Sequence, residues 1–286
     1  MTTPYELIYT THVGDAKIYA RDICESAEKR EEDVRIFACG GDGTLSDVVN
    51  GAIGCARAEV GCIPMGTGND FIRNFGSDQQ FYDINAYIDS YSVVCDSIQY
   101  TAVNGGERRE GHCINMVNIG MDCNIVDTTD SIKKIPVIQG SVAYLTSVFI
   151  NLIQKKGENL KILYDDGYTY DDKLLLISIA NGCYCGGGIK GLPLAKTDDG
   201  LMDVSLVKNV SRRQFVMLFP KYSKGTHLDS PAIKKKGILK YTNEKHLHIE
   251  SEESFKVCID GEISKFREVD FEIAPGSFRF IVPGVQ

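Results

Sequence analysis

Two glycine-rich stretches in this chain have the residue types and spacing to handle phosphate. Gly40-Gly41-Asp42-Gly43-Thr44 and Gly66-Thr67-Gly68-Asn69-Asp70 each follow an apolar run that reads as a strand, and each sets a carboxylate among residues that leave the backbone bare. Glycine lets a ligand approach the main chain where a side chain would crowd it. Thr44 stands where a helix start offers N–H groups to a cap or to a phosphate. A carboxylate beside such a loop cannot face a phosphate without a cation between them. The pair of stretches therefore points to a metal–nucleotide site and to phosphoryl transfer. Neither stretch has the form GxxxxGK[ST] or GxGxxG, which weakens a dehydrogenase reading.

The second half of the chain adds three polar segments. Asn181-Gly182 leads to Gly186-Gly187-Gly188, which reads either as a tight hairpin with a bulge or as a cleft wall needing close approach. Lys196, Asp199, Gly200 and Leu201 offer backbone carbonyls and a carboxylate, ligands suited to a hard cation and equally at home in an ordinary turn. Asp260 and Glu262 alternate at a strand end, so both face one way. Such a pair can bind metal, or let one acid act as a base whose pKa its neighbour raises, or simply be a solvated strand end. The five histidines form no metal cluster, and His246 and His248 read as surface residues of one strand.

These residues need elements to hold them. Tyr5–Thr10 reads as a strand, Asp15 to Lys29 as a helix and Val34–Ala38 as a strand. Leu45, Val48, Val49, Ala52 and Ile53 form one helical face, and Val60–Pro64 runs as a strand into the second glycine stretch. That order predicts an open parallel sheet with its loops at one edge. After about residue 90, strand-like runs alternate with turns at Asn104-Gly105-Gly106, Asp165-Asp166-Gly167 and Asp199-Gly200, the pattern of an antiparallel domain. Helices are expected at Ser141–Ile153 and Ser211–Lys221. A chain of 286 residues accommodates two such domains, with a cleft between them.

Composition narrows the partners. With 43% hydrophobic and 24% charged residues the chain reads as a soluble globular protein. A net charge of −8 gives no global basic field for nucleic acid or anionic lipid, and Lys133-Lys134 and Lys234-Lys235-Lys236 read as solvated loops. The ten cysteines contain no CxxC pair, which argues against zinc; Cys39, Cys62, Cys95, Cys113 and Cys258 read as small buried hydrophobes. Neither a secretory signal nor a run of membrane-spanning length is evident, so a reducing cytoplasm is the expected home.

Taken in order, the motifs resemble those of the diacylglycerol kinase catalytic-domain family, in particular the soluble bacterial diacylglycerol kinase and YegS-like branch. The resemblance runs through Thr11, Gly14-Asp15-Ala16, Gly40–Thr44, Val48-Val49-Asn50-Gly51 and Gly66–Phe71. It continues through Asn118–Asp122, Ala180-Asn181-Gly182 with Gly186–Gly188, Asp199–Val204 and Asp260-Gly261-Glu262. It implies a two-domain α/β fold: a Rossmann-like nucleotide-binding domain of residues 1–92 with 265–286, and a β-sandwich substrate domain of residues 93–264. It further implies ATP and Mg²⁺ as cofactors and a lipid hydroxyl, most simply that of diacylglycerol, as acceptor. Gly40, Gly41, Asp42, Gly43, Thr44, Gly66, Thr67, Gly68 and Asn69 would carry the nucleotide phosphates, with Thr11, Gly14 and Asp15 beside the nucleotide. Asp42, Asp70 and Asp96 would surround the catalytic magnesium. Lys196, Asp199 and Leu201 would form a second, structural magnesium site. Asp260 would be the general base, supported by Glu262. The family usually opens with a further strand and an Asn-Pro-x-Ser-Gly loop ahead of the Tyr5–Thr10 run, and has Asn-Glu where this chain has Ser46-Asp47. Transient contact with a membrane surface, no nucleic acid and room for a homodimer complete the expectation. The alternatives are a kinase for a soluble hydroxylated small molecule, or a nucleotide-binding regulatory protein with a weakened site.

Overall fold

The computed structural model describes residues 5–121 and 157–284. Helix α1 (Asp15–Arg30) buries Ala16, Ala20, Cys24 and Ala27, a stripe of small residues. Those residues let α2 (Asp42–Ala52) lie close, and Gly51 completes the fit, since a Cβ there would strike the carbonyl of Lys17. Between them run β1 (Val34–Gly40) and β2 (Ala58–Pro64), parallel from Val34↔Ala58 to Gly40↔Pro64. Three 3₁₀ turns at Phe71–Phe75, Asp78–Tyr82 and Ile84–Tyr87 follow β2. They carry Phe71, Phe75 and Phe81 onto Phe280, and this aromatic group closes the smaller core.

The larger core is antiparallel. Its strands are β3 (Tyr91–Asn104), β4 (Glu107–Cys113), β5 (Met116–Gly120), β6 (Glu158–Tyr164), β7 (Thr169–Ala180), β8 (Met202–Lys208), β9 (Leu239–Glu244), β10 (His246–Ile259) and β11 (Glu262–Val282). Hydrogen bonding orders the sheet as β1-β2-β11-β10-β5-β7-β8-β9, with β3 on β11, β4 on β3, and β6 spanning β10 and β7. Helix α3 (Arg212–Ser223) begins at Ser211, which forms a capping box with Gln214, and α4 (Pro231–Lys236) leads to β9.

Strands β3 and β11 serve both cores. They pair from Glu268↔Val103 to Val282↔Tyr91 with a register shift between Ala274 and Phe278. On either side of that shift the inward residues change allegiance: Ile98 and Ile273 belong to the larger core, Cys95 and Phe278 to the smaller. Residues 266–273, grouped on sequence with the nucleotide-binding region, thus pack in the sandwich.

The structure is a two-domain α/β architecture, with three departures from expectation. Among the described residues the parallel unit is β1 and β2, joined to β11 through the single pair Phe280↔Val60, so an extended Rossmann sheet does not form. Tyr5–Thr10 is irregular rather than a strand: Tyr5, Leu7 and Tyr9 are 90%, 59% and 76% exposed, and no neighbouring strand pairs with the segment. Cys39 is exposed on β1, whereas Cys62, Cys95, Cys113 and Cys258 are buried as expected. The expected helix at Ser141–Ile153 and the Lys133-Lys134 pair lie outside the described residues. Among those described, no helix is long and apolar enough to cross a membrane.

Candidate active site

Strand β1 feeds the first glycine stretch directly into α2. Gly40 ends the strand, Gly41 is the N-cap residue, and Asp42, Gly43 and Thr44 already form the first helical turn. The expected loop is therefore half helix. Thr44 packs its side chain against Gly40, where a Cβ would collide with it, and no side chain caps the helix. Gly43 faces open space. The second stretch is folded on itself by Asn69, whose Nδ2 donates to the Gly66 carbonyl at 2.8 Å while its Oδ1 accepts from the Gly66 N–H at 3.2 Å. Asn69 takes a left-handed φ of 50°, which an asparagine tolerates better than most residues. Thr67 is exposed at the tip of this turn.

The two stretches touch. Met65 N–H donates to the Gly40 carbonyl at 2.8 Å, and a Cβ built on Gly66 would lie 2.5 Å from the Gly41 Cα. Backbone on one side and backbone on the other leave no side chain to yield. Gly66→Ala is expected to cost about 2 kcal/mol in denaturant unfolding, because the two turns are forced apart.

Asp42 and Asp70 are brought together behind these turns. Asp42 Oδ1 accepts from the N–H groups of Asp70 (2.8 Å) and Phe71 (3.2 Å). Its carboxyl is pushed up to about 6, first by burial and then by the charge of Asp70, with Asp260 adding to the effect. Asp70 is buried as well, and burial raises its pKa against the pull of two N–H groups and Arg73. Those donors are Gly187 (2.9 Å) and Gly188 (2.7 Å), at φ of 83° and 107°. The triple glycine is thus a tight hairpin, closed by the Cys185↔Ile189 bridge, that turns successive amides onto one anion. Arg73, which the sequence reading did not single out, lies beneath, donating to the Gly68 carbonyl and to Asp78.

Asp96 keeps different company. Its carboxylate accepts from Gly200 N–H at 2.7 Å and Gly276 N–H at 2.8 Å, and its own N–H donates to the Thr197 carbonyl at 2.7 Å. These bonds join it to the Lys196–Leu201 turn rather than to Asp42 and Asp70. In that turn Asp199 Oδ1 accepts from Leu201 N–H at 3.2 Å. Asp203 nearby is buried, with Oδ2 lacking a hydrogen-bond partner, and its carboxyl is raised by burial. Thr11, Gly14 and Asp15 form the entry to α1. Asp15 Oδ2 accepts from the N–H groups of Thr11 and His12, both at 2.8 Å, and Gly14 adopts φ 88°. These hydrogen bonds hold the Asp15 carboxyl below its ordinary range.

Asp260, at the β10–β11 turn, reaches across to both domains. Oδ2 accepts from Ser46 Oγ on α2 (2.9 Å) and Ile114 N–H (2.8 Å). Oδ1 accepts from Cys113 Sγ (3.0 Å), Asn115 N–H (3.0 Å) and Met116 N–H (3.2 Å). Glu262 sits at the rim, its side chain 57% exposed and 3.8 Å from Arg109. The space beside them is lined by Gly43, Ser46 and Asp47 on α2, Lys17 on α1, Arg109 and His112 on β4, and Asp260 with Glu262. Asp47 is held by the Gly14 N–H and Lys17, although burial raises its carboxyl overall. His112 and Lys17 escaped the sequence reading because no motif marks them, and Ser46 was noted there only as a departure from the family's Asn-Glu. Ser46 and Asp260 are 214 residues apart.

Comparison with known proteins agrees with this arrangement. The family profile described as the diacylglycerol kinase catalytic domain matches residues 2–99, and that described as the YegS C-terminal NAD kinase beta sandwich-like domain matches residues 115–282. The chain is 32% identical over 255 residues to a diacylglycerol kinase of Staphylococcus haemolyticus, covering 88% of this chain and 71% of that protein. For a Staphylococcus epidermidis diacylglycerol kinase the identity is 33%, with 88% and 74% covered. The crystal structure of a putative diacylglycerol kinase from Bacillus anthracis superposes with a TM-score of 0.70 at 25% identity, covering 96% of this chain and 84% of that one. By these matches the chain belongs to the diacylglycerol kinase catalytic-domain, YegS-like family of ATP-dependent kinases.

Proposed function

We propose that the protein transfers the γ-phosphoryl group of ATP to a hydroxyl of a lipid, diacylglycerol or a close relative, at the pocket beside Asp260. The observation that carries this reading is that Gly43 and Asp260 line the same pocket. Gly43 belongs to an open helix start, where phosphate is favoured by exposed amides and the helix dipole. Asp260 comes from the other domain. Donor and acceptor ends of an in-line displacement can therefore meet in one space, which is most of what phosphoryl transfer requires.

The residues fit a divalent cation. Asp42 and Asp70 are acids held close in a buried place, and the Asp42 carboxyl is raised first by burial and then by the charge of Asp70. A bound cation would offset both. Asp42 and Asp70 would hold Mg²⁺, which when bound neutralises phosphate charge and orients the γ-phosphoryl group. Gly40–Thr44 and Gly66–Asn69 would cradle the phosphates, and Thr11, Gly14 and Asp15 would flank the nucleotide. In this scheme Asp260 organises the acceptor end and Glu262 the rim. Lys196, Asp199 and Leu201, with Asp96 against their turn, would form a separate structural cation site; the partnerless Asp203 oxygen nearby supports that reading. Such a protein would work at the cytoplasmic membrane surface, meeting it only to collect its substrate.

One feature favours a second reading. Lys17 and Arg109 both line the pocket, and its apolar lining is limited to Tyr100 and Ile259. Cations at the acceptor end suit an anionic, hydroxylated small molecule. Incubating the protein with γ-radiolabelled ATP and either the organic or the aqueous extract of cells decides between them. Label in the organic phase, dependent on Mg²⁺, is the expected result; label confined to the aqueous phase would establish the soluble acceptor instead.

A further inference from the structure

The outward face of the β10–β11 pair carries a polar cluster outside the candidate active site. Strand alternation puts His246, His248 and Glu250 on the solvent side of β10, with Leu247 and Ile249 buried between them. Antiparallel pairing sets Asp270 opposite His248 and Glu268 opposite Glu250. Donor atoms of His248, Glu268 and Asp270 all lie within 4.8 Å of one another. Nδ1 of His248 is 2.8 Å from Asp270 Oδ1, and Nε2 of His246 is 3.4 Å from the same oxygen.

The charges in this cluster do not close among themselves. Like charges directly opposite across two strands repel, as Glu250 and Glu268 would. Lys161 on β6 relieves Glu250, its Nζ donating to Oε1 at 2.7 Å. Asp270 is met by the two imidazoles. The Glu268 carboxylate stands beside Asp270, and among the described residues it has no hydrogen bond or ion pair. Behind His248, Glu250 Oε2 lies 3.8 Å from Nε2, so a carboxylate held by Lys161 backs the ring. Metal-binding imidazoles are oriented in this way by a carboxylate at the other ring nitrogen.

We infer that His248, Asp270 and Glu268 form a site for a divalent metal of the zinc class, with His246 beside it as a further donor. Nδ1 of His248 and one oxygen from each acid supply the ligands, and the solvent side of the sheet leaves a position for water. An imidazole ligand suits zinc-type ions, whereas Mg²⁺ takes oxygen ligands. Zinc–ligand bonds of about 2.0–2.2 Å place neighbouring donors about 3.4 Å apart, so a modest inward movement of these side chains closes the set. The ion would tie β10 to β11 next to the register shift between Glu250 and Phe255, where strand pairing lapses. The site shares no residue with the acids at the glycine turns or with the Lys196–Leu201 turn, and it stands independently of the phosphoryl-transfer reading. The histidines do not cluster with one another. Carboxylates from the neighbouring strand complete the set, which spacing along β10 cannot show.

The test titrates Zn²⁺ into the whole chain against a chromophoric chelator, in neutral buffer with excess Mg²⁺ to fill oxygen-ligand sites. A single zinc site should appear, and the imidazole NMR signals of His248 should shift as it fills. His248→Ala should weaken zinc binding at least about tenfold, and so should Glu268→Gln, a change at an exposed position. Asp42→Asn should leave it within about twofold. Zinc should also raise the melting temperature of the wild type and not that of His248→Ala. No zinc binding in excess Mg²⁺, binding that leaves the His248 signals unmoved, or zinc held by either variant as tightly as by wild type would overturn the inference. None of these measurements uses ATP or an acceptor, so failure here is distinguishable from failure of phosphoryl transfer.

Discussion

Asp260→Asn should abolish phosphoryl transfer, lowering kcat at least about a hundredfold, and should also destabilise the fold. Asparagine accepts a left-handed backbone, so the φ of 46° at this position is not the problem. The amide is. Whichever way it turns, its NH₂ faces groups that can only donate: Ile114 N–H on one side, or Asn115 and Met116 N–H on the other. Each buried donor left without an acceptor costs roughly 1–3 kcal/mol. A loss of about 2–4 kcal/mol in denaturant unfolding is therefore expected, larger than for Ser46→Ala, which removes one donor and leaves the turn intact. If ATP is held at the glycine turns, as proposed, its affinity should change little. A D260N protein as stable as wild type would show that the carboxylate does not hold the Cys113–Met116 turn.

Asp42→Asn is expected to move activity and stability in opposite directions. The side chain keeps an oxygen for the amides of Asp70 and Phe71 and loses the charge that burial and Asp70 disfavour. With a folded-state pKa of about 6 against an ordinary 3.8, the wild-type group costs nothing below pH 3.8, where it is protonated folded or unfolded. The stability lost to it accumulates as pH rises through that window and is complete above about 6. Two pKa units correspond to roughly 3 kcal/mol as an upper bound. In metal-free buffer at pH 8, D42N should melt several degrees higher than wild type, and the difference should vanish by about pH 4. Transfer should fall at least about a hundredfold, because a cation held there as proposed would lose a ligand. Equal melting temperatures at both pH values would mean that Asp42 is not under electrostatic strain.

Much of the site was legible in the sequence, and the unread part has a physical explanation. Glycine stretches at strand ends mark their own geometry, so β1, α2 and β2 followed from local pattern, and Ser211 signalled the start of α3. Tyr5–Thr10 has a strand's composition but no strand beside it, and composition alone cannot supply a partner. Strand β11 was obscured by Pro275-Gly276-Ser277, which reads as a turn; the chain instead absorbs it as the register shift between Ala274 and Phe278. The same residues bring Ser277 to Ser97 and Gly276 to Asp96, contacts across 180 residues that spacing cannot reveal. Asp42 and Asp70 were readable as a pair because each lies in a glycine stretch. Asp96 looked like their companion, yet its bonds run to the Lys196–Leu201 turn.

The central claim is that donor and acceptor meet at the pocket shared by Gly43 and Asp260, and it is tested most directly with a defined lipid. Purified protein is given γ-radiolabelled ATP and dioleoylglycerol in mixed micelles, with Mg²⁺ or with a chelator, alongside D260N. The expected result is labelled phosphatidic acid from wild type with Mg²⁺ alone. No labelled lipid from folded, ATP-binding wild-type protein, or equal labelling by D260N, would contradict it.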